Sequence, residues 1–287
     1  MDIFREEFKA YLVENDKSKN TIDSYLSDLE KFTYNEFTTE TIRQYVIDLQ
    51  TKVIKKPNAN KRKPDVESIG LKTSTINRKL VSLKQYIKFL AECKDIVINP
   101  KVRQLKQQKM NYLENQLTEK DLNSLILSAE KSNDERAKAI FCTLAWTGLR
   151  VSEMLQIKTT DISKDLIIIR GKGSKERPAF NTKKLQAVLK GYANTRINSS
   201  DLLFTGVRGA INRQTVDKVI KQHASFIQLK KEKAHAHNFR HYFCKMALTK
   251  GLSLNTVADL VGHTDINTTS IYAKQTKEEL LAAINSL

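Results

Sequence analysis

Residues 235–272 read HAHNFRHYFCKMALTKGLSLNTVADLVGHTDINTTSIY, a stretch that holds four of the chain's five histidines together with Arg240 and Tyr272. Elsewhere only His223 carries an imidazole. Histidine gains and loses its proton near neutrality, so this concentration beside an arginine and a tyrosine looks like chemistry rather than composition. The plainer reading is a core segment: a single histidine is more often structural than not, and Tyr272, set among Ile266, Ile271 and Ala273, fits a buried face.

Working outward, 287 residues give room for two domains, each with its own core. Hydrophobic residues make up 40% of the chain, with no apolar run long enough to span a bilayer or to form a secretion signal, so the expectation is a soluble cytoplasmic protein with no membrane partner. Cys93, Cys142 and Cys244 are too few and too scattered for a disulfide framework or a paired-cysteine zinc site. The balance of 49 Lys and Arg against 32 Asp and Glu, a net charge of +17, suits a polyanion. Nucleic acid fits better than an anionic membrane, because no basic amphipathic helix carries a lipid-like apolar face. The charge is also local: residues 1–50 hold 6 basic and 11 acidic side chains, residues 51–113 hold 16 and 4.

The first hundred residues read as a helical bundle. Asn20 can cap a helix whose face is Ile22, Tyr25, Leu26, Leu29 and Phe32, with weaker helical periods over Phe4 to Val13 and Thr39 to Leu49. Between Val53 and Ser68 the run KPNANKRKPD, with two prolines and four basic residues, predicts a loop. Ser74 or Thr75 then opens a helix with Leu80, Leu83, Ile87 and Leu90 on one face and Arg78, Lys79, Lys84 and Lys88 over much of the rest. A solvated basic face is the bland reading of those four; the surrounding charge favours phosphate contact. Asn99-Pro100 breaks this helix and the basic run KVRQLKQQKMNY follows. The expected organisation is a helical domain over 1–96, a linker over 97–113 and a second domain over 114–287.

In the second domain Thr118 with Asp121 predicts a capping box, and Ala137 to Trp146 a core helix that stops at Thr147-Gly148. The next helix places Arg150 in its first turn and Glu153 on the same face, where the carboxylate is either a surface group or a partner for the arginine. Leu166 to Ile169 and Arg177 to Phe180 predict a hairpin with Lys172 at its tip.

TGLRVSE (147–153), GKGSKER (171–177), HNFRHYF (237–243) and VGHTDINTTSIY (261–272) together resemble the tyrosine site-specific recombinases, the family of Xer-type recombinases, phage integrases and tyrosine-type transposon resolvases. The family pattern is an arginine after a Thr-Gly turn, a hairpin lysine, His-x-x-Arg, Gly-His, and a tyrosine nine residues further on. Arg150, Lys172, His237 with Arg240, Gly262-His263 and Tyr272 occupy those positions in order. KNTIDSYLSDLEKF and STINRKLVSLKQYIKFL resemble, more loosely, the family's N-terminal core-site-binding domain, with a longer insertion from Lys55 to Gly70.

The resemblance implies a mainly α fold with a small antiparallel β-sheet, arranged as a two-domain C-shaped clamp on DNA. It implies Tyr272 as the nucleophile that forms a 3′-phosphotyrosine, and passage through a Holliday junction. Arg150 and Arg240 suit the non-bridging phosphate oxygens, because guanidinium groups donate in pairs and stay charged. Lys172, His237 and His263 would share the proton transfers; His223, His235 and His241 have no place in the pattern. No metal and no cofactor is then called for. The partners implied are double-stranded DNA with paired inverted core sites and a homotetramer on two sites, built from protomers that are monomeric or weakly associated when free, acting at the nucleoid. Because the first helical period begins almost at Met1, resolution of replicon dimers or transposon cointegrates is the expected role, with a phage or mobile-element integrase as the alternative.

Two rivals carry different chemistry. His235-Ala236-His237 with a tyrosine resembles metal-dependent rolling-circle nickases, which leaves the placing of Arg150, Lys172 and Arg240 unexplained. Residues 252–272 also resemble a repressor's helix-turn-helix, with Val257-Ala258, Gly262 and Thr268 near the expected places. A repressor forms no covalent adduct, so Tyr272 separates the two. Beyond it, Lys277 to Leu287 reads as a short helix with Leu280, Leu281 and Ile284 on its apolar side, able to dock on its own domain or on a neighbour.

Overall fold

The structure, a computed structural model, describes residues 4–56, 66–106, 115–171, 176–263 and 269. The chain falls into two compact units, Met1–Met110 and Asn111–Leu287. Its architecture is mainly helical with small antiparallel sheets, as the sequence leads one to expect.

In the first unit, helices α1 (Arg5–Glu14), α2 (Lys19–Leu29), α3 (Thr39–Thr51) and α4 (Thr73–Cys93) enclose a core of Phe8, Leu12, Phe32, Ile76, Leu80, Leu83 and Phe89. Aromatic rings fill much of it, Phe8 meeting Tyr86 edge-on at 5.1 Å. Ser18, rather than Asn20, caps α2 by accepting a hydrogen bond from the Thr21 amide. The segment from 53 to 68 is a loop only in part: strands β1 (Val53–Lys56) and β2 (Val66–Ile69) pair antiparallel at either end of it, leaving the proline-rich middle outside the described residues. Val53-Ile54 and Ile69 supply the β-branched side chains that strands favour. The basic run expected to link the domains is tied to this unit at least to Leu105, whose backbone amide and carbonyl both bond the Asn77 side chain at 2.8 and 2.9 Å. Ile98, Val102 and Leu105 pack on the same core.

Lys79 differs from its expected place on the exposed basic face. Position 79 stands three residues from Ile76 and four from Leu83, both core, so the 3.6-residue period turns it inward. There its ammonium bonds the buried Asp28 carboxylate at 2.9 Å, which also accepts from Ser82 and from both terminal nitrogens of Arg78. A buried carboxylate is tolerated when it is paired and hydrogen-bonded in this way. Arg78, Lys84 and Lys88 stay exposed on α4, with Lys88 3.5 Å from Glu92.

The second unit is built around α6 (Glu135–Thr147), which is buried on nearly every side; its polar Thr143 and Thr147 spend their hydroxyls on carbonyls one turn back. Around it stand α5 (Glu119–Lys131), opened by the Thr118–Asp121 capping box, and α7 (Val151–Met154). Strands β3 (Leu166–Arg170) and β4 (Glu176–Phe180) form the expected hairpin, with Ile169 opposite Arg177. After α8 (Lys183–Asn194) comes a two-residue ladder, β5 (Thr205–Gly206) with β6 (Gly209–Ala210), then α9 (Arg213–Phe226), α10 (Ala236–Thr249) and α11 (Leu254–Val261). No helix among the described residues is long and apolar enough to cross a membrane. Gly148 ends α6 in the left-handed region at φ +64°, and a Cβ there would stand 2.5 Å from the Phe243 ring. The backbone can therefore turn tightly beneath α10, and Arg150 follows two residues later.

Candidate active site

The site assembles where α11 ends. Gly262, at φ +68°, terminates that helix and leaves its last carbonyls without intrahelical partners. Three arginines from three different elements supply the missing donors. Arg177 on β4 donates to Leu260 O at 2.5 Å, Arg240 on α10 to Val261 O at 2.6 Å, and Arg150 to Gly262 O at 3.4 Å. Guanidinium cations at a helix C-terminus also meet the negative end of its dipole. Arg240 sends its other terminal nitrogen to Gly148 O at 2.8 Å, joining the ends of α6 and α11 through one side chain.

One carboxylate holds the cluster together. Glu153, 1% exposed, bonds Arg150 Nη1 through Oε1 at 2.8 Å; its Oε2 accepts both the Arg150 amide, at 2.9 Å, and Arg177 Nη2, at 2.8 Å. Burial alone would raise its pKa, but the Arg150 hydrogen bonds and the Arg177 and Arg150 charges outweigh it and hold the carboxyl below its ordinary value. Glu153 is thus a partner of Arg150 and not a surface group. Arg150 caps α7 instead of lying in its first turn, and keeps part of its guanidinium exposed. Three guanidinium groups gather around one carboxylate, which leaves the cluster with an excess of positive charge.

Arg240 is enclosed almost completely, and burial first, then the like charge of Arg150, lowers its pKa to about 10. It remains a cation at neutral pH. His263 directly follows the helix end; its Nδ1 lies 2.7 Å from Thr269 Oγ1, which fixes the ring. His237 sits in the first turn of α10, with its ring edge-on to His241 at 4.3 Å.

Partial loss of hydration and the neighbouring arginines lower the pKa of the exposed His237 and take that of the half-buried His263 to about 4, while burial and the other histidines take His241 to about 3. These rings are neutral at pH 7. An unfolded chain binds protons at His263 and His241 near 6.5, whereas the folded unit refuses them until about 4 and about 3, so stability falls as pH drops from 6.5 towards 4. The urea midpoint is expected to be lower at pH 5 than at pH 7.5, with the difference reduced in His241→Asn/His263→Asn; equal midpoints in the parent would contradict the burial of these rings.

Of the sequence candidates, Arg150, His237, Arg240 and His263 come together in the second unit. Lys172 belongs to the connection between β3 and β4, and Tyr272 follows Thr269; both lie outside the described residues, as does the expected C-terminal helix. His223, set aside from the sequence, is a core residue bonded to Ser128 Oγ at 2.9 Å and lying edge-on to Phe141 and Phe226. Arg177 was not foreseen. Its signal was present: on β4 positions 177 and 179 share the inward phase, and an inward arginine demands an acidic partner.

Residues 115–279 match the phage integrase family, and residues 6–94 match the phage integrase N-terminal SAM-like domain. The chain belongs to the tyrosine recombinases of the phage integrase family. Such enzymes cleave and rejoin DNA. This recombinase is 29% identical to the TnP I resolvase of Bacillus thuringiensis, with 98% of each chain covered. It is 30% identical to the tyrosine recombinase XerC of Staphylococcus epidermidis, over 98% of this chain and 95% of the relative. Its fold is shared with a lambda integrase dimer bound to a COC′ core site, at a TM-score of 0.71 and 14% identity, covering 97% of both chains.

Proposed function

We propose that this recombinase exchanges strands between two specific sites in duplex DNA, with Tyr272 as nucleophile and resolution of replicon dimers or transposon cointegrates as its role. The observation that carries the reading is the triple-arginine end of α11. Two fixed cations, Arg150 and Arg240, beside neutral imidazoles suit a phosphodiester, whose single negative charge rises to two in the five-coordinate transition state.

In the proposed step the Tyr272 oxygen attacks a DNA phosphorus and loses its proton to a neutral imidazole, His237 or His263. A 3′-phosphotyrosine forms as the bond to the 5′ oxygen breaks, and Lys172 returns a proton to that oxygen. The phosphodiester energy is kept in the new bond, so a 5′ hydroxyl from the partner strand reverses the reaction without ATP. Arg150 and Arg240 compensate the non-bridging oxygens, a task that otherwise falls to a metal.

Lys84 and Lys88, exposed on α4, suit DNA phosphates; Arg78 and Lys79, both committed to Asp28, serve the helical unit itself. Four protomers, two on each of two sites built from a pair of inverted core elements, would make up the synapse. Resolution is favoured over integration by the relative named as a resolvase, TnP I, which matches over 98% of each chain. The test is a plasmid with two directly repeated copies of a candidate site taken from beside the gene, assayed against two plasmids with one copy each. Resolution is expected to give two circles efficiently, with little joining of separate plasmids. Preferential joining would make the chain an integrase, and a requirement for a divalent ion in either reaction would restore the nickase reading.

A further inference from the structure

We infer that Arg177 is a positioning residue for catalysis: it sets the geometry and charge of Arg150 by gripping Glu153 from behind, and locks the end of α11 to the β3–β4 hairpin. The inference rests on Arg150 contacting the scissile phosphate, as proposed above.

Three observations carry it. Arg177 shares Glu153 Oε2 with the Arg150 amide, so the carboxylate is divided between two guanidinium groups and cannot neutralise Arg150 alone. Its second terminal nitrogen reaches Leu260 O, two residues before Gly262 and three before His263. Its backbone lies in β4, the strand that returns from the connection containing Lys172. One planar fork thereby joins the three segments that carry Arg150, His263 and Lys172; an ammonium, with a single nitrogen, cannot hold both acceptors in that geometry.

The surroundings show that the chain makes room for it. Gly262 has no Cβ where one would stand 2.9 Å from Arg177 Cδ and Nε. Arg177 Nε is buried with no hydrogen-bond partner among the described residues, so the side chain is held through its two terminal nitrogens alone. Its two terminal nitrogens are spent on Glu153 and on Leu260 O, and through these partners it acts on Arg150, which makes it a positioning group.

The charged groups facing Glu153 are Arg150 from its own turn, Arg177 from β4 and Arg240 from α10. Removing Arg177 takes away one of the charges that hold the carboxyl down while burial persists, so Glu153 protonates at higher pH. Protonated Glu153 accepts less strongly from Arg150, and the acid limb of the cleavage rate moves upward.

The experiment is single-turnover cleavage of a nicked suicide duplex across pH by the full-length protein and by Arg177→Gln and Arg177→Lys, with DNA affinity measured in parallel. Arg177→Gln is expected to cleave about 10- to 100-fold more slowly at pH 7.5, to bind DNA within about threefold of the parent, and to shift its acid limb to higher pH. Arg177→Lys, which keeps the charge, should return the acid limb towards that of the parent while recovering only part of the rate. Parental rates in both variants, or slow cleavage with an unmoved acid limb and an equal loss of binding, would overturn the assignment. A parent that forms no adduct at all would instead refute the recombinase mechanism, which keeps the two failures distinct.

Discussion

Arg240→Lys is expected to lose strand cleavage by about 10²- to 10³-fold, the cost of removing one preorganised donor from a developing oxyanion, while retaining most of its affinity for DNA. Arg240 spends one N–H of each terminal nitrogen on a carbonyl, Gly148 O and Val261 O. This grip orients the group and leaves a second N–H on each nitrogen for a phosphate oxygen. A lysine can satisfy only one of those carbonyls, and the other, buried and without a donor, should cost a further ~1–3 kcal/mol of stability. Binding should survive because duplex affinity is spread over many phosphate contacts. Gel shifts and suicide-substrate cleavage on the same preparations separate the two effects; equal losses in both would make Arg240 a structural residue alone.

Glu153→Ala should be the most destabilising change in the site. The carboxylate is fully buried between Arg150 and Arg177, and its removal strands the nearly buried Arg177 cation, an uncompensated charge worth about 3–5 kcal/mol. Because the folded carboxyl titrates below its ordinary 4.5, its contribution is fully present above that pH and is lost as pH falls through the lower folded value. Glu153→Gln keeps the shape and should cost less, and the fall of its stability through that acid window should be shallower than the parent's by the share that Glu153 contributes. A Glu153→Ala protein that melts with the parent in urea at pH 7 would show that the three arginines do not depend on this carboxylate.

Local signals in the sequence were sufficient for the parts of the fold that are local. The Thr118–Asp121 box, the Thr147-Gly148 stop and the β3–β4 hairpin are written in two to fifteen consecutive residues, and the structure has each of them. Pairings between distant segments were not legible in the same way. Strands β1 and β2 are four residues each and separated by a proline-rich run, so neither announces itself without the other. Lys79 sits on the apolar period of α4, yet its charge suggested solvent because Asp28, its partner, lies 51 residues away. Arg150, His237, Arg240 and His263 could be picked out as chemistry from their spacing. What the spacing could not convey was that α11 ends in three arginine-capped carbonyls, since that requires β4, α7 and α10 to converge on one helix terminus.

The histidine-rich stretch that decides the fold also decides the chemistry, and a single covalent bond separates a recombinase from a repressor built on the same helices. The direct measurement is to trap the protein on a nicked suicide duplex in chelator, digest the denaturant-resistant complex, and locate the nucleotide by mass spectrometry. A 3′-phosphonucleotide on Tyr272, absent in Tyr272→Phe, is the predicted result. An adduct on another residue, or one that persists in Tyr272→Phe, would contradict it.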